Sequence, residues 1–133
     1  MADRYFSPGE VEALIPRLEA IMDRLMPAQG EAATVREKMQ AEQQRIALAG
    51  GGIIDVETWR ANRERLEDLA ALVRDGLDEI AALGGVPKDL GMGLVDFPHL
   101  RGGSEVNLCW RHGESRIQFW HGLDEGYAAR KPL

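Results

Sequence analysis

The sequence is poor in several things, and each shortage excludes something. There is one cysteine among 133 residues, Cys109. The chain therefore forms no internal disulfide and needs no oxidising compartment. There is no run of Lys and Arg, and the formal charge is −6. A protein that grips phosphate backbones needs a concentrated basic face, so nucleic acid is not an expected partner. Long hydrophobic runs are missing too: the longest apolar stretch, residues 46–54, contains three glycines. A bilayer span needs about 20 apolar residues, so no membrane segment is expected. The start, Met1-Ala2-Asp3-Arg4-Tyr5, lacks the apolar core of a signal peptide, which makes the cytoplasm the default location.

What is present is ordinary for a globular protein, with 44% hydrophobic and 29% charged residues. The length suits a single domain over residues 1–133, with a helical portion at 1–85 and a β-meander with its tail at 86–133. Ser7-Pro8-Gly9-Glu10 opens a helix: Ser7 caps, Pro8 fits the first position and Glu10 completes a capping box. Val11, Leu14, Ile15, Leu18, Met22 and Leu25 follow at helical spacing. Pro16 bends this helix, and Pro27 with Gly30 marks its end or a sharp redirection. A second, more polar helix is expected over 31–49, then a loop at Gly50-Gly51-Gly52. Asp55 caps a further helix that carries Trp59, Leu66, Leu69, Val73, Leu77 and Ile80 on one side and stops at Gly84-Gly85. Helices this long with thin apolar stripes predict a hairpin that also meets a second copy of itself.

Residues 94–97, 105–111 and 114–121 read as strands. The expected fold is α+β: a hairpin of two to three long helices, then a three-stranded antiparallel meander. With His112-Gly113 as a two-residue turn, Leu108 faces Ile117 and Val106 faces Phe119. Val106, Leu108, Trp110, Ile117 and Phe119 then meet the helices. Arg111, Glu114, Arg116, Cys109 and Trp120 turn away.

Several segments carry a family resemblance. They are Gly93-Leu94-Val95-Asp96-Phe97-Pro98, Leu108-Cys109-Trp110-Arg111, Phe119-Trp120-His121 and Leu123-Asp124-Glu125-Gly126-Tyr127 with Arg130. The opening Tyr5-Phe6-Ser7 and Leu14-Ile15-Pro16 join them. Together they resemble a prokaryotic domain-of-unknown-function family, number 2203, over nearly the whole chain. The resemblance implies common descent and no activity, so it assigns no residue a role and leaves open whether the protein is an enzyme.

Three functional readings follow from the residues themselves. The first is an oligomeric interaction or assembly module, a homodimer built on the long helices, with room for a further protein partner. The second is a small metal-binding protein or metal-dependent enzyme using His121, Asp124 and Glu125, with Asp96 as a fourth ligand. Imidazole nitrogen with carboxylate oxygens suits a divalent transition metal. The structural alternative is a partly buried histidine paired with one acid. The third is a binder of a small acidic ligand, received by Arg111, Arg116 and Trp120 on the polar sheet face. Asp96 is expected on that same face, paired with Arg111 or Arg116, the alternative being an inward position beside His121 that would suit acid/base chemistry; Glu114 is expected across from Arg111. Cys109 reads as a buried, inert thiol. His112 and His99 read as surface residues. The glycine-rich segments 50–52, 91–93 and 101–104 lack the strand–loop–helix context of a phosphate loop.

Overall fold

The structure is a computed structural model that describes residues 2–51 and 55–133, so the last glycine of the expected 50–52 loop lies outside the described residues. Two helices come first, α1 (Pro8–Leu48) and α2 (Val56–Leu83). Five strands follow: β1 (Val86–Asp89), β2 (Leu94–Arg101), β3 (Ser104–Arg111), β4 (Phe119–His121) and β5 (Lys131–Pro132). They form one antiparallel sheet in sequence order. The α+β class is as expected, but the described residues form five strands rather than three and two long helices rather than a possible third. Among the described residues, no helix is long and apolar enough to cross a membrane.

The start of α1 follows its sequence closely. Glu10 N–H donates to Ser7 Oγ at 3.1 Å, and Ser7 N–H donates to Glu10 Oε1 at 3.0 Å, closing the capping box. The redirection expected at Pro27 and Gly30 does not occur, because α1 runs unbroken through Pro16 and Pro27. A proline inside a helix costs about 3 kcal/mol through its lost bond and ring clash. Both prolines sit on the exposed side, while Ile15, Leu18, Leu25 and Ala28 beside them are buried. Packing on either side of each proline outweighs the missing bonds. Helical stability here comes from tertiary burial rather than from local preference.

α2 is capped by Asp55, whose Oδ1 accepts from Thr58 N–H at 3.1 Å. It ends at Gly84, which is left-handed with φ 94°. A Cβ at Gly84 would lie 2.4 Å from Phe6 Cζ, so glycine is needed there for space as well as for backbone conformation. Phe6 fills that space, meets Phe97 edge-on at 5.2 Å and donates its N–H to Pro98 carbonyl oxygen at 2.7 Å. The segment before α1 is thereby fastened to both layers.

The main core lies between the first half of α1, the end of α2 and one face of the sheet. It joins Val11, Ile15, Leu18, Met22 and Leu25 to Ile80, Val95, Phe97, Leu108, Trp110 and Ile117. A smaller cluster of Ala28, Ala32, Val35 and Leu69 continues between the helices alone. Beyond it the hairpin projects. At about 1.5 Å per residue α1 is about 60 Å long, and its residues in the core shared with the sheet, from Val11 to Met26, lie in its first half. Trp59, expected in the core, is half-exposed near the far end.

β2 and β3 pair with Val95 opposite Trp110, Asp96 opposite Cys109 and Phe97 opposite Leu108. The next pairing departs from expectation. Leu108 lies opposite Trp120 and Cys109 opposite Phe119, three residues along from the expected register. An odd slip inverts every side chain of the strand. Trp120 therefore packs on the helix side, while Phe119 and His121 turn to the outer face with Cys109 and Asp96. The cause is local. Trp110 Nε1–H donates to Glu114 carbonyl oxygen at 2.9 Å, and Arg111 N–H donates to Glu114 Oε1 at 2.7 Å. These bonds fold residues 114–118 into a loop instead of a strand. Ile117 still reaches the core from that loop, held by its N–H to Glu12 Oε1 at 3.2 Å.

Candidate metal centre

The outer face of the sheet would be expected to face water, yet its centre is buried. Asp96 and His121 are each 2% exposed and Cys109 is 1% exposed. The cover is the tail after β4, which returns through the short turn Tyr127–Ala129 to pair as β5. Arg130 holds it down. Its Nη2 donates to both carboxylate oxygens of Glu114 at 2.7 and 2.8 Å and to Cys109 carbonyl oxygen at 3.2 Å. Its guanidinium also lies 4.1 Å from the Phe119 ring centre and 4.8 Å from that of Tyr127.

Under this cover three donor groups converge, one from each of β2, β3 and β4. A carboxylate oxygen of Asp96, the Cys109 sulfur and a ring nitrogen of His121 all lie within 4.8 Å of one another. The strand pairing places them: Asp96 is directly across from Cys109, and His121 follows Phe119, the other neighbour of Cys109, by two residues on the same face.

The hydrogen bonding of this trio is incomplete. His121 Nδ1 lies 2.9 Å from Gly122 carbonyl oxygen, which only accepts, so the hydrogen is assigned to Nδ1. That leaves Nε2 facing Asp96, 3.1 Å from both carboxylate oxygens. Only Oδ1 has hydrogen-bond geometry, and Oδ2 is buried without a hydrogen-bond partner. A nitrogen lone pair and a carboxylate oxygen that meet in a buried site need a proton or a metal cation between them. Two donors each about 2.0–2.1 Å from a tetrahedral ion are about 3.3 Å apart, close to the separation seen here. A ligating histidine that gives its other N–H to a backbone carbonyl is the usual second-layer arrangement around such ions. The Cys109 thiol is pushed up to about 12, chiefly by burial and then by the charge of Asp96. At neutral pH it is therefore an unreactive thiol unless a cation draws its proton off.

The residues proposed from sequence are distributed as follows. His121 and Asp96 meet, and Asp96 takes His121 rather than Arg111 or Arg116 as its partner. Glu125 borders the same cleft, but its Oε1 is held by Gly122 N–H at 2.7 Å and Lys131 Nζ at 2.5 Å. Lys131 is also the leading cause that holds the Glu125 carboxyl below its ordinary range. Asp124 is exposed in the turn before it and does not join the cluster. Arg111 donates to Tyr127 hydroxyl at 2.9 Å, and Arg116 is exposed. Trp120 lies on the opposite face, flanked by Arg101 and Lys131 at 4.7 and 4.8 Å from its ring centre. The three residues proposed for an acidic ligand thus do not share one surface. Glu114 pairs with Arg130 rather than with the Arg111 side chain.

Sequence reasoning missed Cys109 as a member of the site. The signal was its place directly across the ladder from Asp96, which needed the β2–β3 register to be visible. His112, read from sequence as a surface residue, lies in the β3–β4 turn and is partly exposed. Its Nε2 lies 2.9 Å from Asp23 and 3.0 Å from Glu19, fastening the β3–β4 turn to α1. This second trio is half-exposed, and Glu19 is further engaged by Gly113 N–H at 3.0 Å. Its groups satisfy one another.

No curated protein and no solved structure matches the chain. Residues 4–133, which include every residue of the buried trio, match a family model, so the chain belongs to the family described as uncharacterized conserved protein (DUF2203).

Proposed function

We propose that this protein binds a transition-metal ion, zinc by preference, through Asp96, Cys109 and His121. The observation that carries this reading is the buried convergence of three different donor groups with Asp96 Oδ2 left unpaired. A mixed oxygen, nitrogen and sulfur set favours borderline ions such as zinc over magnesium or calcium, which take oxygen donors. The alternative occupant of the gap is a single proton, which would make the trio a buried ion pair with a bystander thiol. Untagged protein loaded with zinc and dialysed against metal-free buffer should retain about one ion per chain. Cys109→Ser and His121→Gln should each lower retention at least about tenfold, since even loss of a partner that only orients a ligand costs about that much. Wild-type protein that keeps its native circular dichroism and retains no zinc would refute the reading.

Self-association through the hairpin is a second reading, supported by a separate observation. In α1 no described residue past Val35 is buried, and in α2 none before Leu69. At the far end Leu48 is 90% exposed and Val56 is 59% exposed. Met39 and Trp59 line a cleft of about 290 Å³ between the helices there. Light scattering at micromolar concentration should return a dimer mass that drops to the monomer mass in Leu48→Glu. A strictly monomeric wild type would remove this reading without touching the metal centre.

A further inference from the structure

The trio supplies three ligands, and zinc sites of three protein ligands differ in kind from sites of four. Closed structural sites complete a tetrahedron with protein groups, whereas sites that act on other molecules keep one position for water or a ligand. Among the described residues, no fourth His, Cys, Asp or Glu joins Asp96, Cys109 and His121. Glu125, the nearest acidic neighbour along the cleft, has one oxygen tied to Gly122 and Lys131.

All three donors border one small cleft, whose other walls are Lys88, Leu94, Glu125, Gly126 and Tyr127. We infer that the metal keeps an open position facing this cleft and that a small anion of a few non-hydrogen atoms binds there. This inference rests on the metal-binding reading.

Size and charge set the ligand class. The cleft holds about 100 Å³. That is room for a metal-bound water and a neighbour, or for one ligand of a few heavy atoms. A peptide or a nucleotide does not fit; a small carboxylate or an inorganic anion does. A divalent ion with the Asp96 carboxylate and a Cys109 thiolate carries no net charge, so the ligands do not repel an incoming anion. The charge of Glu125 is offset by Lys131. Lys88, on β1, makes no ion pair among the described residues and supplies the remaining positive charge at the cleft. Anion attraction there should weaken with salt, as steering by an exposed charge does.

The test uses the full chain loaded with cobalt(II), whose visible absorption reports coordination, titrated with sodium azide. A saturable change in the visible bands is expected. Lys88→Ala should weaken azide binding by about threefold to tenfold, and added sodium chloride should narrow that difference. A cobalt-loaded protein whose spectrum azide leaves unmoved would overturn the open position while sparing the metal site. Undiminished azide affinity in Lys88→Ala would contradict binding in this cleft. Failure to take up cobalt, with the fold intact, would overturn the metal reading and this inference together.

Discussion

Zinc-loaded protein should unfold roughly 12–20 °C above the metal-free protein. A ligand that binds only the folded state stabilises it by about 4 kcal/mol when present at about a thousand times its dissociation constant. For a chain of this size each kcal/mol moves the midpoint by about 3–5 °C. The trio justifies treating the folded state as the sole binder. Its members are separated by 13 and 12 residues along the chain, at positions 96, 109 and 121, and meet only once the β2–β3 and β3–β4 ladders have formed. Chelation should reverse the shift, and Cys109→Ser should largely abolish it. The shift should also shrink as the pH falls. The Cys109 proton, held with a pKa of about 12, must leave before the sulfur can ligate. Each unit of pH then changes apparent affinity about tenfold, or about 1.4 kcal/mol. Differential scanning calorimetry at two pH values, with and without zinc, reads both effects. An identical midpoint with and without zinc would mean that a proton alone occupies the gap.

Trp110→Ala should cost about 3–5 kcal/mol, the largest loss expected from any single core truncation here. Trp110 heads the largest fully buried side chains, and it packs on the helix-facing side of β3 opposite Val95. Its indole N–H also satisfies Glu114 carbonyl oxygen at 2.9 Å. Truncation therefore opens a cavity and leaves a carbonyl without its partner. The damage extends to the tail, because Glu114 is also the anchor for Arg130, which covers the trio. Trp110→Phe keeps most of the volume but loses the hydrogen bond, so it should fall between wild type and Trp110→Ala. Urea unfolding followed by far-ultraviolet circular dichroism measures the series. A loss below about 1 kcal/mol in Trp110→Ala would mean that the loop at 114–118 is not held as described.

The parts of the fold that the sequence reveals are those set by local chemistry. Ser7 with Glu10 and Asp55 announce helix starts through donors and acceptors a few residues apart, and both caps form. The class follows from the change of period after Gly85. What stays hidden depends on contacts between distant segments. Whether α1 stops at Pro27 turns on Leu69 and its neighbours covering Ala28 and Ala32, which no local pattern encodes. β1 holds a proline and lacks alternation, and β5 is too short to have a period.

The β3–β4 register fails for a different reason. Phe119, Trp120 and His121 are all bulky, so alternation gives no preference between faces. A backbone loop fixed by Glu114 decides the matter instead. The site inherits this. Asp96 lies on the face away from the helices, as its apolar neighbours Val95 and Phe97 suggest, and its partner follows from the three-residue slip. Burial of that outer face was the least legible feature, since it depends on a tail of irregular structure laid down by Arg130. Asp124 and Glu125 are suggested only by their nearness to His121 along the chain. Cys109, thirteen residues from Asp96 in the chain, is its neighbour across the ladder.

X-ray absorption at the zinc edge tests the central assignment most directly, because it identifies the atoms around the ion. The trio predicts one sulfur at about 2.3 Å together with nitrogen and oxygen at about 2.0–2.1 Å. A shell of nitrogen and oxygen alone, with no sulfur, would contradict it and would place the ion elsewhere, for instance beside His112, Glu19 and Asp23.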